Sequence, residues 1–155
     1  MKEFTKIFQS HVTSLSFQKR FDLAISICEK LFSDYQDFSL KNEWGDPEIL
    51  LDAIKLCKLY NINEASLHSL KEMLPKVENI TPDTEDFENA SYALNACTAV
   101  SETLEFLINK NPSHIMNIGT YFTDTIYFKI QDSSSESELA NHPMMVEARE
   151  FLMRG

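Results

Sequence analysis

The chain has 155 residues, 24 acidic against 14 basic side chains, a formal charge of −10 and only 3 glycines. That length suits one domain with a continuous core and no metal or disulfide support, and the glycine shortage argues for helices over tight turns. The acidity disfavours nucleic acid and anionic membrane surfaces, no apolar run reaches the roughly 18 residues of a membrane span, and Met1 to Phe4 form no apolar leader core.

Phe4, Ile7, Phe8, Val12 and Leu15 recur at helical spacing and predict a short amphipathic helix. A longer one is expected from Phe17 to Phe32, with Phe17, Phe21, Ala24, Ile25, Cys28, Leu31 and Phe32 on one face. Tyr35, Phe38 and Leu40 add a helical turn or two before a corner at Trp44 to Pro47, where Gly45 stops the preceding helix. Asp46 is then an N-cap and Pro47 the first helical residue of a segment running to Tyr60. Its apolar positions cover more than half of its surface, so it is expected to be sandwiched. Asn63 is the expected cap of the next helix, whose stripe of Leu67, Leu70 and Leu74 ends at Pro75 because proline lacks the N–H that a helix interior needs. A connection over 75–82 follows.

Asp83, Thr84, Glu85 and Asp86 open what reads as the central helix, running to Lys110, with carboxylates in its first turn complementing the helix dipole. Phe87, Ala90, Leu94, Cys97, Val100, Leu104 and Leu107 fall three or four apart, and the many Ala, Ser, Cys and Thr side chains let neighbouring helices approach closely. A buried Asn95 there would need a specific partner. Glu88, Asn95, Glu102 and Asn109 recur every seven residues, making either a solvated face or a polar seam against another helix or a second subunit. Asn111-Pro112 and His142-Pro143 start the last two helices, Ser113 to Ile130 and Pro143 to Met153, around a polar loop over 131–138. The β-branched residues and Gly119 weaken the helical pattern of the first of these. The expected fold is all-α, a single domain over 1–155 built as about seven helices around a central helix rich in small residues.

Chemistry-bearing motifs are sparse. Cys28, Cys57 and Cys97 lie among apolar residues without a CxxC pair and read as reduced core thiols. His11, His68, His114 and His142 are scattered over different elements, with His114 in the first turn of its helix. No nucleophile elbow, phosphate loop or dinucleotide fingerprint occurs. Asp83, Glu85, Asp86 and Glu88 offer oxygen ligands for a hard cation or simply favour a helix start, and Glu88 at the sixth position excludes an EF-hand loop.

Taken together, Phe21 through Leu31, Tyr35 to Phe38, Gly45-Asp46, Asp86-Phe87, Tyr92 to Cys97 and Asn141 to Pro143 resemble, in order and spacing, the YjaG-like family of small bacterial proteins, a domain-of-unknown-function family. The resemblance implies an all-helical, soluble bacterial protein and carries over no catalytic residue. The functional expectation is a non-enzymatic, cytoplasmic interaction module without a cofactor. It would bind a basic protein partner, as an immunity-type or adaptor protein does, or a second copy of the chain, and neither nucleic acid nor membrane. Its contacts are placed on Asp83, Glu85, Asp86, Glu88, Asn95 and Glu102. The competing expectation is a metal-dependent enzyme or small-ligand binder using Asp83, Glu85, Asp86, Glu102 or His114.

Overall fold

In the computed structural model, which describes residues 2–131 and 139–155, the apolar spacing of the first forty residues becomes two helices, α1 (Lys2–Ser14) and α2 (Phe17–Asn42). The Ser16 hydroxyl caps α2 by accepting from the Lys19 N–H. α2 does not pause after Phe32. Tyr35 and Phe38 continue the buried face of Cys28 and Leu31, so the expected separate turn is one further stretch of the same helix. Its end is also set differently from expectation. The left-handed residue is Glu43 (φ 49°), whose N–H bonds the Ser39 carbonyl, while Gly45 (φ 84°) lies beyond it. Gly45 is needed because a Cβ there would collide with the Tyr35 hydroxyl.

α3 (Pro47–Asn61) starts as the sequence predicts, with the Asp46 carboxylate accepting from the Glu48 and Ile49 N–H groups. It lies against α2, α4 and α5, which accounts for its broad apolar surface. α4 (Leu67–Asn79) departs from expectation at both ends. Ser66, not Asn63, is its N-cap, and Pro75 sits inside it rather than ending it. Pro75 and the preceding-turn residue Lys71 are both exposed, so the carbonyl that loses its partner faces water, and the further turn buries Val77. The connection therefore spans 80–90 rather than 75–82.

The central helix, α5 (Ser91–Asn109), begins eight residues later than Asp83. In place of a helical turn, the Asp83 carboxylate accepts from the Glu85 N–H and the Asp83 carbonyl from the Asp86 N–H, a local turn that Asp favours. Phe87 leaves the expected helical stripe for an aromatic cluster, 5.2 Å from Phe38 and 5.3 Å from Trp44 between ring centres. The central role itself is confirmed, because α5 packs on α2, α3, α4 and α6. Ala93, Ala96, Cys97, Ala99 and Thr103 are buried at these crossings, and fully buried Leu104 and Leu107 each contribute about 1.5–3 kcal/mol of burial. The Thr103 hydroxyl donates to the Ala99 carbonyl, so Cys28 donates its S–H across to Thr103 at 3.2 Å.

α6 (Ser113–Ile130) is unbroken despite its β-branched residues. Gly119 gives it a flat spot on which the Phe8 ring of α1 rests. α7 (Pro143–Leu152), capped by His142 Nδ1 accepting from the Met144 N–H, closes onto α6. The described residues hold seven helices of ten or more residues and no strand, as the all-α expectation requires. Of the expected polar loop, 132–138 lie outside the described residues.

Candidate functional site

α5 and α6 form a helical hairpin joined only by residues 110–112, with Lys110 in the left-handed conformation (φ 63°) and its N–H on the Phe106 carbonyl. This sharp reversal brings the last turns of α5 against the first turn of α6. Glu102 and Glu105, one helical turn apart on α5, meet His114 at the start of α6. Among the described residues these three are the His, Cys, Asp or Glu side chains that could jointly hold a metal ion, with ligand atoms all within 4.8 Å of one another.

The hydrogen bonds around His114 order the donors and acceptors in the site. Asn109 Oδ1 accepts from the Asn111 N–H at 2.9 Å, which fixes that atom as an acceptor, and it lies 3.0 Å from His114 Nε2. Nε2 must therefore carry a hydrogen. His114 Nδ1 lies 2.9 Å from Glu102 Oε2 and 3.7 Å from Glu105 Oε2, so two carboxylate oxygens face the other ring nitrogen. A neutral ring would point a lone pair at a carboxylate. The gap calls for a bridging electrophile, either a proton shared between ring and carboxylate or a metal ion. Asn117 also donates to Glu102 Oε2, at 3.1 Å.

Burial strengthens these interactions. The side chains of His114 and Glu102 are 12% and 18% exposed, whereas Glu105, at 45%, opens the cluster to solvent. Tyr121 registers the negative field: burial, then the charges of Glu102, Glu105 and Asp124, push its hydroxyl pKa above the usual value. Burial likewise raises the Asp124 carboxyl.

The heptad stripe of α5 is thus a seam against another helix along most of its length. Asn95 has the specific partner its position demands, donating to the Thr125 hydroxyl of α6 at 3.1 Å, while Thr125 donates to the Tyr121 carbonyl. Glu88 falls outside the helix and does not join it. Of the expected site residues, Glu102 and His114 come together, whereas Asp83, Glu85, Asp86 and Glu88 are all exposed in the 80–90 turn and form no metal-ligand set with them. Sequence reasoning missed Glu105 and the supporting roles of Asn109 and Asn117. The available signal was the three-residue spacing of Glu102 and Glu105 just before an Asn-Pro reversal that returns a histidine.

The thiols offer no competing chemistry. Cys28, Cys57 and Cys97 are free and buried, and burial pushes Cys28 and Cys97 up to about 12 and Cys57 higher still. No described helix is long and apolar enough to cross a membrane.

A family model described as a protein of unknown function, DUF416, matches residues 7–154. The crystal structure of a DUF416 family protein from Shewanella baltica OS155 superposes with a TM-score of 0.82 at 25% identity, covering 94% of this chain and 80% of that one. No curated protein matches the chain.

Proposed function

The chain belongs to the DUF416 family, and from that premise, which supplies no activity, we propose that it is a divalent-metal-binding helical protein. Glu102, Glu105 and His114 would be its ligands. The observation that carries this reading is His114, whose two ring nitrogens both face oxygen acceptors while two carboxylates converge on Nδ1. One imidazole and two carboxylates suit Zn2+, Mn2+ or Fe2+, and Asn109 on Nε2 matches the outer partner that metal-bound histidines use to fix their tautomer. Ligands about 2.1 Å from a metal sit about 3.4 Å apart in tetrahedral geometry, so Glu102 at 2.9 Å from Nδ1 has to part slightly and Glu105 at 3.7 Å to move in slightly. Calorimetric titration of metal-free protein with Zn2+ and Mn2+ tests it. One site per chain is expected, abolished by His114→Ala and weakened by Glu105→Gln, with Asp86→Ala unaffected. Absence of binding, or loss of binding with Asp86→Ala alone, would overturn the assignment.

A second reading, an acidic module that docks a basic protein, is favoured by a different observation. Leu40, 81% exposed, lines a groove with Asp37, Glu43 and Trp44 at the end of α2, and the Trp44 to Phe87 contact ties that corner to the acidic 80–90 turn. Apolar anchors ringed by carboxylates suit a cationic partner. Charge reversal at Asp83, Glu85, Asp86 and Glu88 would then abolish capture of a basic partner, and unchanged capture would exclude this face. Within the family, the Tyr92 to Cys97 block supports placement with the YjaG-like members, and three unpaired buried thiols suit the reducing cytoplasm.

A further inference from the structure

Between α2, α6 and α7, lined by none of the carboxylate-cluster residues, a cavity of about 280 Å3 opens. Its floor is apolar, made by Leu31, Phe122, Ile126, Ala148 and Phe151. Its rim is cationic, which is unexpected on a chain of charge −10. Lys30, Lys129 and Arg154 line it against two acids, Asp34 and Glu147.

The three cations are not equivalent. Lys129 Nζ is neutralised by both carboxylate oxygens of Asp34, at 2.9 and 3.0 Å. Lys30 and Arg154 have no carboxylate within 4 Å among the described residues. Both instead lie over the Phe151 ring, the Lys30 ammonium at 4.7 Å and the Arg154 guanidinium at 5.6 Å from its centre. Arg154 is held in place from α1, because His11 Nε2 donates to its carbonyl at 3.1 Å. Two cations without a carboxylate partner among the described residues therefore share the Phe151 ring at the wall of a cavity with an apolar floor.

We propose that this cavity binds a small organic monoanion with an apolar body, a medium-chain carboxylate being the simplest case. The apolar part occupies the floor, and the carboxylate lies between Lys30 and Arg154, where it gains charge-assisted hydrogen bonds. A dianion such as phosphate fits poorly, because Glu147 offsets one of the two cationic charges and no apolar surface is used. A neutral apolar molecule leaves both cations unmatched. The site is separate from the metal ligands, so neither reading depends on the other.

The test uses octanoate as the probe, with 1-octanol and inorganic phosphate as comparisons, followed by backbone amide shifts of the full chain. Octanoate is expected to move the amides of Leu31, Phe122, Ile126, Ala148 and Phe151, with 1-octanol and phosphate binding at least about tenfold more weakly. Lys30→Ala combined with Arg154→Ala, both exposed, weakens octanoate by about tenfold or more. Arg154→Ala alone weakens it less, and Lys55→Ala on exposed α3 surface leaves it unchanged. Equal binding of 1-octanol, equal binding of phosphate, full affinity in the double variant or in Arg154→Ala, shifts spread over α3 and α4, or no shift at all would each overturn the proposal.

Discussion

Tyr35→Phe probes how the bundle holds its central corner. The ring is fully buried, its hydroxyl donates to the Ile80 carbonyl at 2.6 Å, and the same oxygen accepts from the Asp46 N–H at 3.2 Å. One oxygen thus joins α2, the start of α3 and the end of α4. Phenylalanine keeps the packing but strands the buried Ile80 carbonyl, at about 1–3 kcal/mol, and costs the half-buried Asp46 N–H its bond, at about 1 kcal/mol, so a loss of about 2–4 kcal/mol is expected. For a domain of this length each kcal/mol lowers the melting temperature by about 2–4 °C, so the variant should melt roughly 4–16 °C lower. Guanidinium and thermal unfolding followed by circular dichroism measure this, with Tyr60→Phe as the control. The Tyr60 ring is half-buried and its hydroxyl has no partner among the described residues, so its loss should cost less than about 0.5 kcal/mol. If both variants lose the same small amount, the hydroxyl is not the joint that its geometry describes.

Gly119→Ala sets two effects against each other. Alanine gains about 1 kcal/mol of helix propensity, but its methyl enters the space of the Phe8 ring and overpacking costs about 1–3 kcal/mol, so a net loss is expected, relieved by adding Phe8→Leu. A more stable single variant would show that α1 gives way freely. Stability should also fall as pH climbs above 9, because unfolded thiols release protons there while the folded Cys28 and Cys97 thiols hold theirs to about 12. The folded state then binds more protons, and each such thiol contributes a slope of about −1.4 kcal/mol per pH unit, so a flat profile from pH 8 to 10.5 would contradict the buried environment. Glu105→Gln should weaken Zn2+ binding at least about tenfold with the melting temperature of metal-free protein unchanged, since this exposed side chain adds little to the α5 to α6 contact. A matching loss of stability would make Glu105 a structural group instead.

Helix identity was legible wherever apolar spacing and capping agreed, as at Asp46-Pro47 and along Phe21 to Leu31. It failed where local signals are decided by exposure. Pro75 looks like a terminator in any string of letters, yet its cost depends on whether the Lys71 carbonyl can reach water, and both residues are exposed. The acidic run at Asp83 looks like a helix start, yet Phe87 gains more by joining Phe38 and Trp44 than by extending α5. The heptad of Asn95, Glu102 and Asn109 was visible as a stripe, but its meaning turned on which helix faces it. The site followed the same rule. Glu102 and His114 were both candidates, and only the hairpin over residues 110–112 shows that they touch.

The most direct test of the cation site is a crystal of this protein grown metal-free and soaked with Mn2+ or Zn2+, with anomalous scattering recorded at the metal edge. The account predicts a single strong peak bonded to His114 Nδ1 and to one oxygen each of Glu102 and Glu105, with Asn109 still accepting from Nε2. It would be contradicted by an intact His114 to Glu102 hydrogen bond with no peak beside it, or by metal bound only at the exposed carboxylates of the 80–90 turn.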